Sequence, residues 1–151
     1  MKIRITGLLT GQNQIEESVD PISVGLDPRQ FPSNLAVSIA ADKTSGRVKL
    51  AIVASCTGAF LCDRCGDDIV KTIKGDCEVV FVKRDEPFPD EAPGDDLRSF
   101  GEYQEYIDIA TELHDTMMLA IPMKLLCVDE CKGICLGCGS NLNRTDCRCI
   151  K

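Results

Sequence analysis

The sequence predicts an α+β protein: an antiparallel β-sheet body, one main helix and a C-terminal tail of zinc-knuckle or ribbon type. Three observations carry this. Most of the first 83 residues fall into stretches of alternating apolar and polar character, the period of a half-buried strand. One later stretch, after about residue 108, repeats its apolar residues at spacings of three and four. Eight of the ten cysteines stand in four close pairs, and three of those pairs lie in the last 25 residues.

Residues 2–9 alternate (Lys2, Ile3, Arg4, Ile5, Thr6) and read as a first strand. Residues 10–34 are polar and punctuated by Gly11, Pro21, Pro28 and Pro32, so they read mostly as loop. Leu35 to Ala41 and Val48 to Leu61 read as two strands joined by the turn Asp42-Lys43-Thr44-Ser45-Gly46, an antiparallel hairpin. By parity Val48, Leu50, Ile52, Ala54, Cys56, Phe60 and Cys62 share the core face, and Lys49, Ser55 and Thr57 the other. Residues 69–74 and Cys77 to Lys83 read as two more strands. Residues 84–101 hold six acidic residues and three prolines with few apolar groups, the composition of a flexible acidic loop. Asp108 is a good N-cap for a helix over about 108–120, with Ala110, Leu113, Met117 and Ala120 on one face and Pro122 ending it. The body is thus residues 1–126 and the cysteine-rich tail 127–151, a single domain overall with the tail packed on the body. The tail is too poor in apolar groups to fold without a metal.

A chain of 151 residues is long enough for one real core. It has no apolar run of signal-peptide length at its start and nothing approaching a membrane span, so a soluble, cytoplasmic protein with no membrane partner is expected. In a reducing compartment, paired cysteines are metal ligands or redox thiols rather than disulfides. The net charge of −7 has the wrong sign for a general nucleic-acid binder. Charge is uneven, however: residues 1–121 hold 12 basic and 21 acidic residues, and residues 122–151 hold 5 and 3. The tail is therefore locally basic.

The pairs are Cys62-x2-Cys65-Gly66, Cys127-x3-Cys131, Cys135-x2-Cys138-Gly139 and Cys147-x-Cys149. A two-residue spacer lets one tight turn present two sulfurs to one ion, and a glycine next in line suits the exit from that turn. Cys135, Cys138, Cys147 and Cys149 make one tetrahedral set, closed by a short loop. Cys127 and Cys131 are left to join Cys62 and Cys65, giving one or two Zn2+ per chain. Free thiols remain an alternative, and so does a redox pair at Cys62 and Cys65. The redox motif belongs at a helix start, whereas an alternating strand follows here. Cys56 and Cys77 read as small buried hydrophobes and His114 as a bystander. A solvated surface explains the acidic run at 85–96 better than a cation site does. No nucleophile elbow, P-loop, dinucleotide fingerprint or zinc-protease motif occurs, and all-cysteine zinc offers no open position, so no enzyme and no small-molecule substrate are expected.

The Cys-x-Arg-Cys pair at 62–65, the helix leading to Leu119-Ala-Ile-Pro122 and the tail CVDECKGICLGCGSNLNRTDCRC at 127–149 together resemble the YceD family, over about residues 35–150. The run at 131–143, with its Asn-Leu-Asn end, is the most telling part. The resemblance implies a role in accumulation of large-subunit ribosomal RNA, in bacteria or plastids, with no established catalytic activity. Some relatives keep only the first cysteine pair, which implies that tail zinc serves stability in this branch. A ribosomal protein or large-subunit ribosomal RNA is the expected partner. For RNA the candidate phosphate contacts are Lys124, Lys132, Arg144, Arg148 and Lys151; an acidic body favours the protein. A nucleic-acid-reading zinc protein is the remaining alternative.

Overall fold

The computed structural model describes residues 1–84, 97–147 and 149. Among these residues, seven strands, two 3-10 turns and one helix follow in the order β1 (Lys2–Arg4), a turn at Ile5–Gly7, β2 (Gly11–Val19), a turn at Pro21–Val24, β3 (Leu35–Lys43), β4 (Arg47–Leu61), β5 (Asp68–Lys83), β6 (Leu97–Phe100), β7 (Tyr106–Asp108) and α1 (Ala110–Leu119). β2 to β6 form one five-stranded sheet in chain order, and β1 pairs with β7 in a separate two-stranded sheet. The arrangement is α+β.

The hairpin read from the sequence is β3–β4, with Ile39 opposite Ile52. Alternation does the work here. Val48, Leu50, Ile52, Ala54, Cys56 and Phe60 of β4, and Cys62 just beyond it, are all buried, while Lys49 and Thr57 are exposed. α1 packs against β4, β5 and the Pro21–Val24 turn, placing Leu113 and Met117 fully in the core. Where it crosses β5 the residue is Gly75: a Cβ there would lie 2.7 Å from the Thr116 carbonyl oxygen and 2.8 Å from Thr116 Cγ2. The close crossing therefore requires a residue without a side chain.

Four expectations are corrected. Residues 10–34, read as mostly loop, also hold an unassigned strand: β2 pairs with β3 over nine residues, Gly11 with Lys43 through Val19 with Leu35, and the rest of the stretch is turns and loop. Its outward positions (Gln12, Gln14, Glu16, Ser18) are polar, so the strand is specified by its partner rather than by its own apolar pattern. Residues 69–74 and 77–83 are one continuous β5, since Gly75 serves the helix crossing and does not break the strand. The first strand stops at Arg4 and pairs with β7 instead of joining the main sheet. The end of the acidic segment is β6, which runs parallel to β5 with Leu97 opposite Val80, so the sheet is mixed. The rest of that segment, 85–96, lies outside the described residues.

α1 begins at Ala110, and Asp108 Oδ1 accepts a hydrogen bond from the Ala110 N–H at 3.0 Å and from the amino terminus at 3.3 Å. Burial works against the Asp108 carboxylate, but the Ala110 N–H and the Met1 ammonium outweigh it and hold its pKa below the ordinary value. Among the described residues, no helix is long and apolar enough to cross a membrane.

Candidate metal centre

β4 and β5 are joined by the turn that carries Cys62 and Cys65. The Gly66 N–H donates to the Cys62 carbonyl at 2.9 Å, and Gly66 has φ +72°. The tail repeats this turn: the Gly139 N–H donates to the Cys135 carbonyl at 2.8 Å, with φ +71° at Gly139. A side chain at either glycine would be strained. Each turn points its two sulfurs the same way.

The eight cysteines fall into two sets of four, Cys62, Cys65, Cys127, Cys131 and Cys135, Cys138, Cys147, Cys149, with the sulfurs of each set within 4.8 Å of one another. In the first set Cys62 to Cys131 is 3.7 Å and Cys65 to Cys127 3.5 Å. In the second, Cys135 to Cys149 is 3.7 Å, Cys138 to Cys147 3.9 Å and Cys135 to Cys147 3.1 Å. A tetrahedron with Zn–S of ~2.3 Å has edges of ~3.8 Å, whereas a disulfide needs ~2.05 Å. Donor type, number and spacing all fit a tetrahedral thiophilic ion. The sets differ in setting: Cys62 and Cys131 are buried, while Cys138, Cys147 and Cys149 are exposed.

The sulfurs also perturb one another. Burial works against a Cys62 thiolate, but the N–H groups of Arg64, Cys127 and Cys65 point at its sulfur and bring it down to about 6. The Asp67 N–H favours a Cys65 thiolate, yet burial and the surrounding sulfurs outweigh it and push that thiol up to about 12. In the second set the Cys138 N–H and the Cys147 thiol hold Cys135 down, and the sulfurs of Cys147, Cys135 and Cys138 push Cys149 up to about 12. Without a cation each set thus favours one thiolate and resists the next. A divalent ion removes that resistance.

Residues that spacing did not single out bind the sets into one structure. Asn143 donates to Cys131 Sγ at 3.2 Å while its own Oδ1 accepts from the Lys132 N–H at 2.8 Å. Asn141 donates to Asp67 at 3.0 Å, and Arg144 pairs with the same carboxylate at 3.0 Å. Asp63 accepts from the Leu125 N–H at 2.6 Å, and the Arg64 guanidinium donates to the Cys131 carbonyl at 2.7 Å. The turn after β4 is therefore clasped to the tail through side chains as well as sulfur. The Asn-Leu-Asn run was the visible signal for Asn141 and Asn143; Asp63 and Asp67 had none beyond lying within two residues of a cysteine.

The other singled-out residues lie elsewhere. His114 Nδ1 is 3.2 Å from the Val24 carbonyl, so the histidine joins α1 to the Pro21–Val24 turn. Cys56 is buried in β4, which pushes its thiol up, and Cys77 is half-buried against the core. Lys124 and Lys132 are exposed, Arg144 is engaged by Asp67, and Arg148 and Lys151 lie outside the described residues.

A mixed-sheet α+β body whose longest hairpin is clasped to two tetrathiol sets defines a class of protein that a metal can staple. The family model described as large ribosomal RNA subunit accumulation protein YceD matches residues 48–151, and the chain belongs to the YceD family. It is 23% identical over 168 residues to the Arabidopsis thaliana protein named large ribosomal RNA subunit accumulation protein YCED homolog 1, chloroplastic, covering 94% of this chain and 52% of that one. The Zea mays protein of the same name is 41% identical over 56 residues, 36% of this chain and 19% of that one. The chain thus spans about half the length of the first relative and about a fifth of the second. No solved structure matches it significantly.

Proposed function

We propose that this chain is a non-enzymatic factor supporting accumulation of large-subunit ribosomal RNA, with eight cysteines holding two structural zinc ions. The carrying observation is that two all-sulfur sets are closed and locked to each other beside a sheet, in a family whose curated relatives are named for that accumulation. Four thiolates leave zinc no open position, so the ions would serve shape and stability. They would hold the tail against the turn after β4 and present a rigid surface to a ribosomal protein or RNA. A protein partner fits the charge better, because Lys124 and Lys132, both exposed, do not offset a body this acidic.

A redox role for Cys62 and Cys65 is the weaker reading. A thiol near 6 is reactive only where a substrate reaches it, and Cys62 is 3% exposed. The turn carrying it leads into β5 rather than into a helix.

Two measurements test the proposal. Metal content of protein purified under reducing conditions, paired with alkylation before and after chelation, is expected to give two zincs and eight protected thiols. Depletion of the chain from its host is expected to lower the ratio of large- to small-subunit ribosomal RNA. An unchanged ratio sinks the ribosomal role, and one zinc with reactive Cys62 and Cys65 reopens the redox reading.

A further inference from the structure

An antiparallel sheet with one face to solvent normally fills that face with polar side chains. The outer face of the five-stranded sheet, opposite α1, departs from this. Its centre is small: Ala36, Ser38 and Ala40 on β3 lie beside Ser55, Val53 and Ala51 on β4. Alanine has little preference for strands and gives water nothing to bond to. The outer strands carry longer and more acidic residues. One row across the sheet reads Glu16, Ser38, Val53, Asp76, and the next reads Gln14, Ala40, Ala51, Glu78. The result is a trough with a floor of small side chains, and concave spaces of about 620 and 240 Å³ open along it.

Its width selects an occupant. From β2 to β5 is three strand spacings, about 14 Å, and an α-helix with its side chains is about 10–12 Å across. Its charge selects further. Glu16, Asp42, Asp76 and Glu78 share this face with Arg47, Lys49 and Lys74, so acidic groups still outnumber basic ones, and Lys49 is already engaged by Glu78 at 2.8 Å. Such a surface attracts a cationic segment and repels phosphates. Ala36, Ser38, Ala40 and Val53 on its floor are exposed.

We propose that this trough is the docking surface for a Lys- and Arg-rich helix of a protein partner, an inference that rests on the reading above that the chain acts by binding and that supplies the surface and the partner's chemistry.

The test places a photo-reactive benzoylphenylalanine at Gln14 on the rim or at Val53 on the floor of the full chain, expressed in its host, and sequences the adducts by mass spectrometry. The same residue at Ile22, which is exposed away from the trough, is the control. Expected is one protein cross-linked through a segment rich in Lys and Arg, with at least a tenfold loss of adduct in Glu16→Lys/Asp76→Lys, which reverses the ends of one row. Unaltered thermal unfolding of that double variant shows that charge and not folding is lost. RNA adducts, a neutral or acidic segment, adducts no stronger than at Ile22, or adducts unaffected by charge reversal each overturn the proposal. If the adduct is absent while depletion still lowers large-subunit ribosomal RNA, the docking surface falls and the ribosomal reading stands. If the adduct forms and the ratio does not respond, the reverse holds.

Discussion

Asn143 shows how much of the centre rests on groups that are not sulfur. Its amide donates to Cys131 Sγ and its carbonyl oxygen fixes the Lys132 N–H, so one side chain orients a proposed ligand and holds the loop around it. Groups of this kind around a metal are typically worth ten- to a hundredfold in affinity. Asn143→Ala should therefore release zinc to a chromogenic chelator about tenfold faster than the wild type. Asn143→Asp should be worse, because it removes the donor and sets a negative charge beside thiolates. If both variants release zinc at the wild-type rate, Asn143 has no part in holding the ion. Gly75 makes a different residue-scale demand. With a Cβ 2.7 Å from a backbone oxygen of α1, nothing flexible can give way. Gly75→Val should cost about 1–3 kcal/mol, the usual penalty for overpacking, read as a lower urea midpoint at unchanged slope. An unchanged midpoint would mean that α1 can shift off β5 freely.

At the scale of elements, α1 is tied to the amino terminus by one carboxylate. Because the folded pKa of Asp108 is depressed, its contribution to stability is present above the ordinary aspartate value and is lost as pH falls through the folded one. The side chain is 54% exposed, so the effect is screened and should not exceed about 1 kcal/mol. Asp108→Asn should lower the urea midpoint at pH 7, and the gap to the wild type should close as pH falls through the depressed folded pKa of Asp108. Equal midpoints at pH 7 would show that the charge contributes nothing. How far each element was legible follows from where its specification lies. β3 and β4 carry their own alternation, and α1 its own spacing, so their positions were readable to within a few residues. β2 shows polar residues to solvent and half-buries Asn13 and Ile15, so only its nine-residue register with β3 defines it. Gly75 looks like a break between two strands because the helix that needs it comes 35 residues later. The pairing of β1 with β7 joins residues more than a hundred apart, which no local pattern reports. For the candidate centre, spacing grouped Cys135, Cys138, Cys147 and Cys149, elimination left Cys127 and Cys131 to join Cys62 and Cys65, and the fold brings the sulfurs of each four within 4.8 Å of one another. Asp63, Asp67 and Asn143 act only across the fold, through partners that spacing does not encode.

For the whole molecule the question is how much of the fold would depend on the proposed zinc. The main core runs from Ile3 through the sheet to Met117 and includes neither Cys62 nor Cys131, although both are buried. The sheet is thus closed by apolar side chains of its own, and burial on that scale is the dominant stabilising contribution to a domain. The tail differs. Val128, Ile134 and Leu136 are exposed, and its turns are joined by short hydrogen bonds, the Arg144–Asp67 ion pair and the clustered sulfurs. If the two sets hold zinc as proposed, chelation takes away the ion that ties the four sulfurs of each set together. Chelation should therefore separate the two parts: the far-ultraviolet β signal persists, while limited proteolysis newly cuts between residues 123 and 147. The exposed set should empty first, because three of its sulfurs are open to a chelator and two sulfurs of the other are buried. Two phases of zinc release are then expected, the slower belonging to the set that includes Cys62 and Cys131. Replacing Cys138 with serine should remove the fast phase and leave the slow one. Collapse of the β signal along with zinc would show instead that the clasp after β4 holds the sheet, and that the apolar core alone does not suffice.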